Sequence, residues 1–315
     1  MTEPLWEDDR PRPAAHGPVK VRVPAKINLH LGVGDIREDG FHEVATVYHA
    51  IALHDELTVR SADSLALTMD GEGAGELALD HSNLVIRAVH MLAAATGREA
   101  HARIHLRKQI PLAAGLAGGS ADAAAALVAC DALWGTGFSR EDLAGIAAGL
   151  GSDVPFLVLG GTALGTGRGE TVSPVLAPGH TWHWVVAVAD GGLSTPDVYR
   201  ELDRLRDIDA APASVGAPDA ILSALRQRDA AVLAKALGND LEAAALSLRP
   251  SLRATLDAGV AAGALAGLVS GSGPTCVFLC RDAISASEVA VELADLEVCR
   301  AATAVHGPVP GARLI

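Results

Sequence analysis

The 315-residue sequence predicts an α+β protein of two domains, on three observations. Its length exceeds what one ordinary core fills. Half of its residues are hydrophobic, so the chain folds rather than staying disordered. Strand-like and helix-like stretches mix without strict strand–helix–strand repetition, which argues against an all-parallel sheet. A stretch rich in Gly and Thr at 160–169 lies near the middle of the chain. The division is expected just beyond it: a polar tail at 1–18, a first domain at 19–170 and a second at 171–315.

The elements follow from pattern and punctuation. Residues 19–23 alternate as a strand, Pro24 is expected to end it, and 25–33 forms a second extended run. Strands are expected at 44–53, 56–60, 64–69 and 102–106. Asn83 opens a helix over 84–94 that Gly97 closes, and Ser139 caps another over 140–150. A helix begins near Asp122, with Ser120 as its expected cap. The apolar run at 154–159 reads as a buried strand. The second half opens with a strand at 183–189, followed by helices at 195–206, 217–227, 230–236 and 252–262. Strands at 266–269 and 276–280, a helix at 285–293 and a closing strand complete it.

Composition removes several functions. A net charge of −13, from 25 basic and 38 acidic residues, argues against a nucleic-acid surface, which needs basic side chains against phosphates. Apolar runs are broken well before the ~20 residues that span a bilayer, and the acidic start lacks a signal-peptide pattern. Four cysteines are too few for a disulfide scaffold, and the pair Cys276 and Cys280 lacks a second pair to complete a zinc site.

The segment Pro111-Leu112-Ala113-Ala114-Gly115-Leu116-Ala117-Gly118-Gly119-Ser120-Ala121 follows a strand and opens a helix. Small residues there let an anion reach backbone N–H groups and the positive end of the helix dipole. A tight turn would also ask for small residues. The segment lacks the Gly-Lys-Ser/Thr of a Walker loop and the Gly spacing of a dinucleotide fingerprint. Two further motifs are unspecific alone: Pro24-Ala-Lys-Ile-Asn28, where Lys26 could be a solvated strand lysine, and Gly151-Ser-Asp-Val-Pro155, where Asp153 could make an Asx turn. Together they gain force. Transfer of a phosphoryl group to an alcohol needs a proton acceptor and a cation, and a lysine beside a carboxylate supplies both.

These motifs, in this order and with Ser270-Gly-Ser-Gly273 late in the chain, resemble the GHMP kinase superfamily over about residues 19–310. Asp39-Gly-Phe-His42, Asn83-Leu-Val-Ile-Arg87 and Lys108-Gln-Ile-Pro111 look most similar to members that phosphorylate a cytidine-diphosphate sugar alcohol in non-mevalonate isoprenoid biosynthesis. The resemblance implies an N-terminal ribosomal protein S5 domain 2-like half and a C-terminal ferredoxin-like α/β sandwich. It implies ATP as co-substrate with Mg²⁺, held by phosphates and water with Ser120 as a candidate ligand. Lys26 and Asp153 become the catalytic pair, residues 111–121 wrap the ATP phosphates, and Asn83 and Lys108 lie near the adenine and ribose. His42 meets the cytosine and Tyr199, in Thr195-Pro-Asp-Val-Tyr199, stacks on it. Asn28 orients the acceptor hydroxyl, and Phe41 and Tyr48 line the same pocket, although core packing would use Tyr48 equally well. A cytoplasmic monomer or weak homodimer acting on a small molecule is expected, with no nucleic-acid or membrane partner. Homoserine- and mevalonate-type kinases, and a nucleotide-binding regulator without chemistry, are the alternatives. Ala113, Ala114 and Ala117 stand where the family is richer in Gly. They are expected to avoid left-handed backbone and leave it to Gly115, Gly118 and Gly119.

Overall fold

The computed structural model describes residues 17–176 and 179–315; the expected polar tail lies, for residues 1–16, outside them. Two long strands, β1 (Val19–Ile36) and β2 (His42–Arg60), form the spine of the first half. Each had been expected as two strands. Pro24 does not end β1, because a register shift between Pro24 and Ala25 absorbs its missing N–H. β3 (Ala66–Gly71), α1 (Leu84–Thr96) and β4 (Arg103–Lys108) follow. Asn83 caps α1 by accepting from the Val85 N–H, and Gly97 ends it in left-handed backbone.

Next come α2 (Gly118–Trp134), α3 (Arg140–Ala147) and α4 (Val154–Leu159). Ser139 and Asp142 close a capping box on α3. The run at 154–159 is thus a helix, not the expected strand. Six apolar residues, five of them buried, fit either period, and Pro155 in the first turn favours the helix. α2 is buried around nearly its whole circumference, which its alanines permit, and packs on α1, α4, β1 and β2.

β5 (Thr162–Thr166) and β6 (Thr171–Pro174) form a hairpin that joins the large sheet through β2. The expected division at 170/171 falls inside this hairpin, both strands of which belong to the large sheet. The second half contains β7 (Trp182–Val188), α5 (Thr195–Asp207), α6 (Asp219–Gln227), α7 (Ala230–Ala236), β8 (Gly238–Asn239) and α8 (Glu242–Leu248). It ends with α9 (Ser251–Ala261), β9 (Ala266–Val269), β10 (Cys276–Cys280), α10 (Ala283–Asp295), β11 (Ala301–Gly307) and β12 (Arg313–Leu314). The large sheet has the order β12-β1-β2-β4-β3, with β8 beside β1, so two short strands of the second half return to the first. Four antiparallel strands, β11-β7-β10-β9, make the small sheet.

That small sheet is apolar on both faces. Trp184, Val186, Val277 and Leu279 join the main core, while Val185, Ala187, Cys276, Phe278 and Cys280 face Leu252, Leu256, Val289 and Leu293 of α9 and α10. Strict period-two alternation thus bonds one sheet to two layers. Cys276 and Cys280 are buried free thiols in the second of these cores.

His49 of β2 lies where the halves meet, fully buried, with Nδ1 2.8 Å from Thr162 Oγ1 and its ring 5.8 Å from that of Trp184. Burial disfavours the imidazolium and pushes its pKa from 6.5 to about 3. A depressed folded-state pKa gives stability that is present above the unfolded value and lost as pH falls towards the folded one. The stability advantage of the wild type over His49→Gln therefore shrinks by about 3 kcal/mol between about pH 7.5 and about pH 4.5, in urea unfolding at both pH values. A gap independent of pH would show that His49 is not buried neutral.

Candidate active site

The segment after β4 carries left-handed backbone at Ala113 (φ 48°), Gly115 (φ 74°) and Ala117 (φ 57°). Two alanines thus adopt the conformation that they were expected to avoid, whereas Gly118 and Gly119 lie in the first turn of α2 with ordinary φ. The cost of a left-handed alanine is about 1–2 kcal/mol, which the surrounding packing outweighs. Gly115 takes the left-handed backbone expected of it, and Gly115 and Gly118 are also needed for space. A Cβ on Gly115 would lie 2.2 Å from the Ser270 carbonyl oxygen, and one on Gly118 would lie 3.0 Å from Lys108 Nζ and 3.1 Å from Ile110 Cγ2. Ala117, not Ser120, occupies the cap of α2, and no side chain caps the helix. Gly118, Gly119 and Ser120 instead line a cavity of about 680 Å³, with Ala113, Ala114, Gly115 and Ala117 beside them. A helix start left uncapped at a cavity suits an anion. Pro111, Leu112, Leu116 and Ala121 do not line it; Leu116 and Ala121 are core residues that fix the loop from behind.

β1 and the start of α4 bring Lys26 and Asp153 to the same cavity, with Lys26 Nζ 3.7 Å from Asp153 Oδ2. The Lys26 N–H donates to the Leu116 carbonyl, which ties the strand to the loop. Lys26 Nζ donates to Asn28 Oδ1 at 2.8 Å, Asn28 Nδ2 donates to Thr46 Oγ1 at 2.7 Å, and Thr46 donates to the His30 carbonyl at 2.8 Å. This chain fixes the ammonium on a strand rather than on a loop. Asp153 stands at the N-cap position of α4 without making a side-chain cap, so its carboxylate remains turned to the cavity. Tyr48 stacks on Phe156 at 5.0 Å; burial, with the Asp153 carboxylate nearby, raises its pKa well above 10. Tyr48 is therefore both core and cavity wall.

At the other end, the His42 ring stacks on Tyr199 with centroids 5.0 Å apart, and its Nε2 lies 2.8 Å from Asp203 Oδ1. Burial pushes the Tyr199 phenol up to about 12. Phe41 is 54 % exposed at the rim, with the Arg168 guanidinium 4.9 Å from its ring. The late glycine motif closes the cavity: a Cβ on Gly271 would lie 3.3 Å from Lys26 Nζ, and Ser272 Oγ is 2.8 Å from Thr195 Oγ1 of α5. Asp203 and Arg168 were not singled out from sequence. Asp203 is one helical turn after Tyr199, a spacing that the expected helix made available. Arg168 sat in a Gly/Thr stretch that read as a connection.

Two expected ATP residues lie elsewhere. The Lys108 side chain is fully buried, with Nζ 2.7 Å from Asp55 Oδ2 and 2.8 Å from Asp122 Oδ2. Asp55 Oδ1 also accepts the Gln109 and Ile110 N–H groups. Two carboxylates pull the ammonium behind the loop and away from the cavity. Asn83 is occupied by its cap and by donation to the Ala78 carbonyl; its neighbour Leu84 reaches the cavity instead.

Among the described residues no cluster of three His, Cys, Asp or Glu could hold a metal, and no helix is long and apolar enough to cross a membrane. Fold and cavity together define a small-molecule kinase. The GHMP kinases N terminal domain model matches residues 83–161 and the GHMP kinases C terminal model residues 221–297, and the chain belongs to the GHMP kinase family. It is 72 % identical to the 4-diphosphocytidyl-2-C-methyl-D-erythritol kinase of Salinispora tropica over all of both chains. Against the enzyme of that name from Mycobacterium tuberculosis it is 54 % identical, over 95 % of this chain and 93 % of the relative. A crystal structure of a 4-(cytidine 5'-diphospho)-2C-methyl-D-erythritol kinase, 34 % identical, superposes with a TM-score of 0.74 over 91 % of this chain and 98 % of the other. Homoserine kinase from Cytophaga hutchinsonii, at 19 % identity and a TM-score of 0.73 over 96 % and 99 %, shares the fold.

Proposed function

We propose that the protein transfers the γ-phosphoryl group of ATP to the 2-hydroxyl of 4-(cytidine 5'-diphospho)-2-C-methyl-D-erythritol, giving the 2-phosphate and ADP. One observation carries the reading: a single cavity joins the uncapped start of α2, the Lys26–Asp153 pair and the His42–Tyr199 stack. The loop N–H groups and the α2 dipole hold the β- and γ-phosphates. Asp153 accepts the hydroxyl proton as the oxygen–phosphorus bond forms and the bond to ADP breaks. Lys26, fixed by Asn28, stabilises the developing alkoxide and the transferring phosphoryl oxygens. Asp203 sets the His42 ring against a cytosine edge while Tyr199 stacks on the base.

The oxygen donors facing the loop fit Mg²⁺, an ion that keeps several waters and takes few protein ligands: the Ser120 hydroxyl lines the cavity, and phosphates supply the rest. When bound, Mg²⁺ would neutralise phosphate charge. The net charge of −13 disfavours nucleic acid as a partner, and a small-metabolite substrate fits a cytoplasmic enzyme.

The test is ADP release with a panel of acceptors. The cytidine-diphosphate sugar alcohol is phosphorylated with kcat/KM at least about 100-fold above free methylerythritol, homoserine or mevalonate, because only it fills both ends of the cavity. Comparable rates with homoserine or mevalonate would overturn the assignment, and absence of transfer to every acceptor would favour a binding protein.

A further inference from the structure

A substrate that spans the cavity from His42–Tyr199 to Lys26–Asp153 carries two phosphates between its ends. On the functional reading above, those charges must be met locally, since the chain carries a net charge of −13. Three cationic side chains line the cavity: Lys26, Arg168 and Arg200. Lys26 belongs to the transfer end. Arg200 is exposed and closes on Asp197 within its own helix.

Arg168 lies between the two ends. Its guanidinium is 4.9 Å from the ring of Phe41, the residue before His42. The next residue, Gly169, packs against the transfer end: a Cβ there would lie 2.3 Å from the Tyr48 hydroxyl and 3.7 Å from Ser152 Cβ, beside Asp153. The backbone is fixed in the β5–β6 turn, where the Gly169 N–H donates to the Thr166 carbonyl at 3.0 Å and the Arg168 N–H to Glu170 Oε2 at 2.7 Å. The adjoining Gly167 is held by its carbonyl, which accepts the Val44 N–H at 2.7 Å, and by its N–H, which donates to Glu43 Oε1 at 3.2 Å. The guanidinium itself is less committed. Glu170 stands 3.7 Å from it, and among the described residues it donates no hydrogen bond. A guanidinium on an aromatic face keeps its N–H fork for a phosphate while the ring offsets part of its desolvation.

We propose that Arg168 recognises the diphosphate of the nucleotide-linked substrate and sets the preference for a diphosphate over a bare nucleoside. Its loss removes charge-assisted hydrogen bonds made to the acceptor and not to ATP, whose phosphates sit on α2.

The experiment uses the full chain and compares wild type, Arg168→Met and Arg168→Lys. Cytidine diphosphate and cytidine binding are measured by calorimetry, and KM for acceptor and ATP by ADP release. In Arg168→Met, cytidine diphosphate affinity falls about 10- to 100-fold while cytidine affinity holds within about 2-fold; acceptor KM rises in parallel and ATP KM does not. Arg168→Lys recovers part of the loss, because it restores charge without the fork. An unchanged ratio of the two affinities in Arg168→Met overturns the proposal. Equal loss of both ligands also overturns it, since Arg168 would then only prop Phe41. Failure of the wild type to bind either ligand would overturn the functional reading itself, which the variants' arms do not address.

Discussion

Asp153→Asn lowers kcat about 1,000-fold while the Kd for ATP stays within about 2-fold of wild type. The amide keeps the shape of the carboxylate but cannot accept the acceptor's proton, so the loss falls on the chemical step. The fold tolerates the change for local reasons. Asp153 makes no cap on α4, and Lys26 keeps its hydrogen bond to Asn28 when the ion pair at 3.7 Å is lost. ATP binding is insulated because the loop and the start of α2, not Asp153, hold the phosphates. Single-turnover ADP formation and calorimetric ATP titration measure the two quantities separately. A kcat within about tenfold of wild type would show that Lys26 and the loop suffice and that Asp153 is not the base.

Lys108→Met destabilises the protein by about 3–5 kcal/mol in urea unfolding, whereas Asp122→Asn stays within about 1 kcal/mol of wild type. The asymmetry follows from the buried trio. Removing the ammonium leaves two carboxylates facing each other with no counter-charge. Removing the Asp122 charge leaves Lys108 paired with Asp55, and Asp122 Oδ1 is a buried acceptor without a partner. Burial, with the Asp55 carboxylate beside it, pushes the Asp122 pKa well above the ordinary carboxylate value. A raised folded-state pKa gives stability that is present below the unfolded value and lost as pH rises through the folded one, so Asp122→Asn also flattens that part of the pH profile. A Lys108→Met protein as stable as wild type but weak in ATP binding would return Lys108 to the nucleotide, where the motif resemblance had it.

Lys108 also marks the limit of what the chain spells out. Its motif was legible, and so was its place just before the loop. Its direction was not, because Asp55 on β2 and Asp122 on α2 decide it, and neither position signals an ion pair by spacing. The loop backbone is a second case. Intrinsic preference gives left-handed backbone to glycine, correctly for Gly115 (φ 74°), but the folded loop also places Ala113 and Ala117 there and leaves Gly118 and Gly119 in ordinary helical backbone. The run at 154–159 is a third, where an apolar stretch too short to show a period became a helix.

From the sequence alone came the two-part α+β architecture, most element positions, the small-residue loop and the motifs that resemble a kinase. These are local properties: period, punctuation and residue size act within a few positions of each other. Only the tertiary structure decided that Lys26, Asp153, His42 and Tyr199 share one cavity, that Asp203 and Arg168 belong with them, and that Lys108 does not. Those outcomes depend on where distant strands and helices pack, and no short-range pattern encodes the distance between two side chains that the chain itself holds far apart.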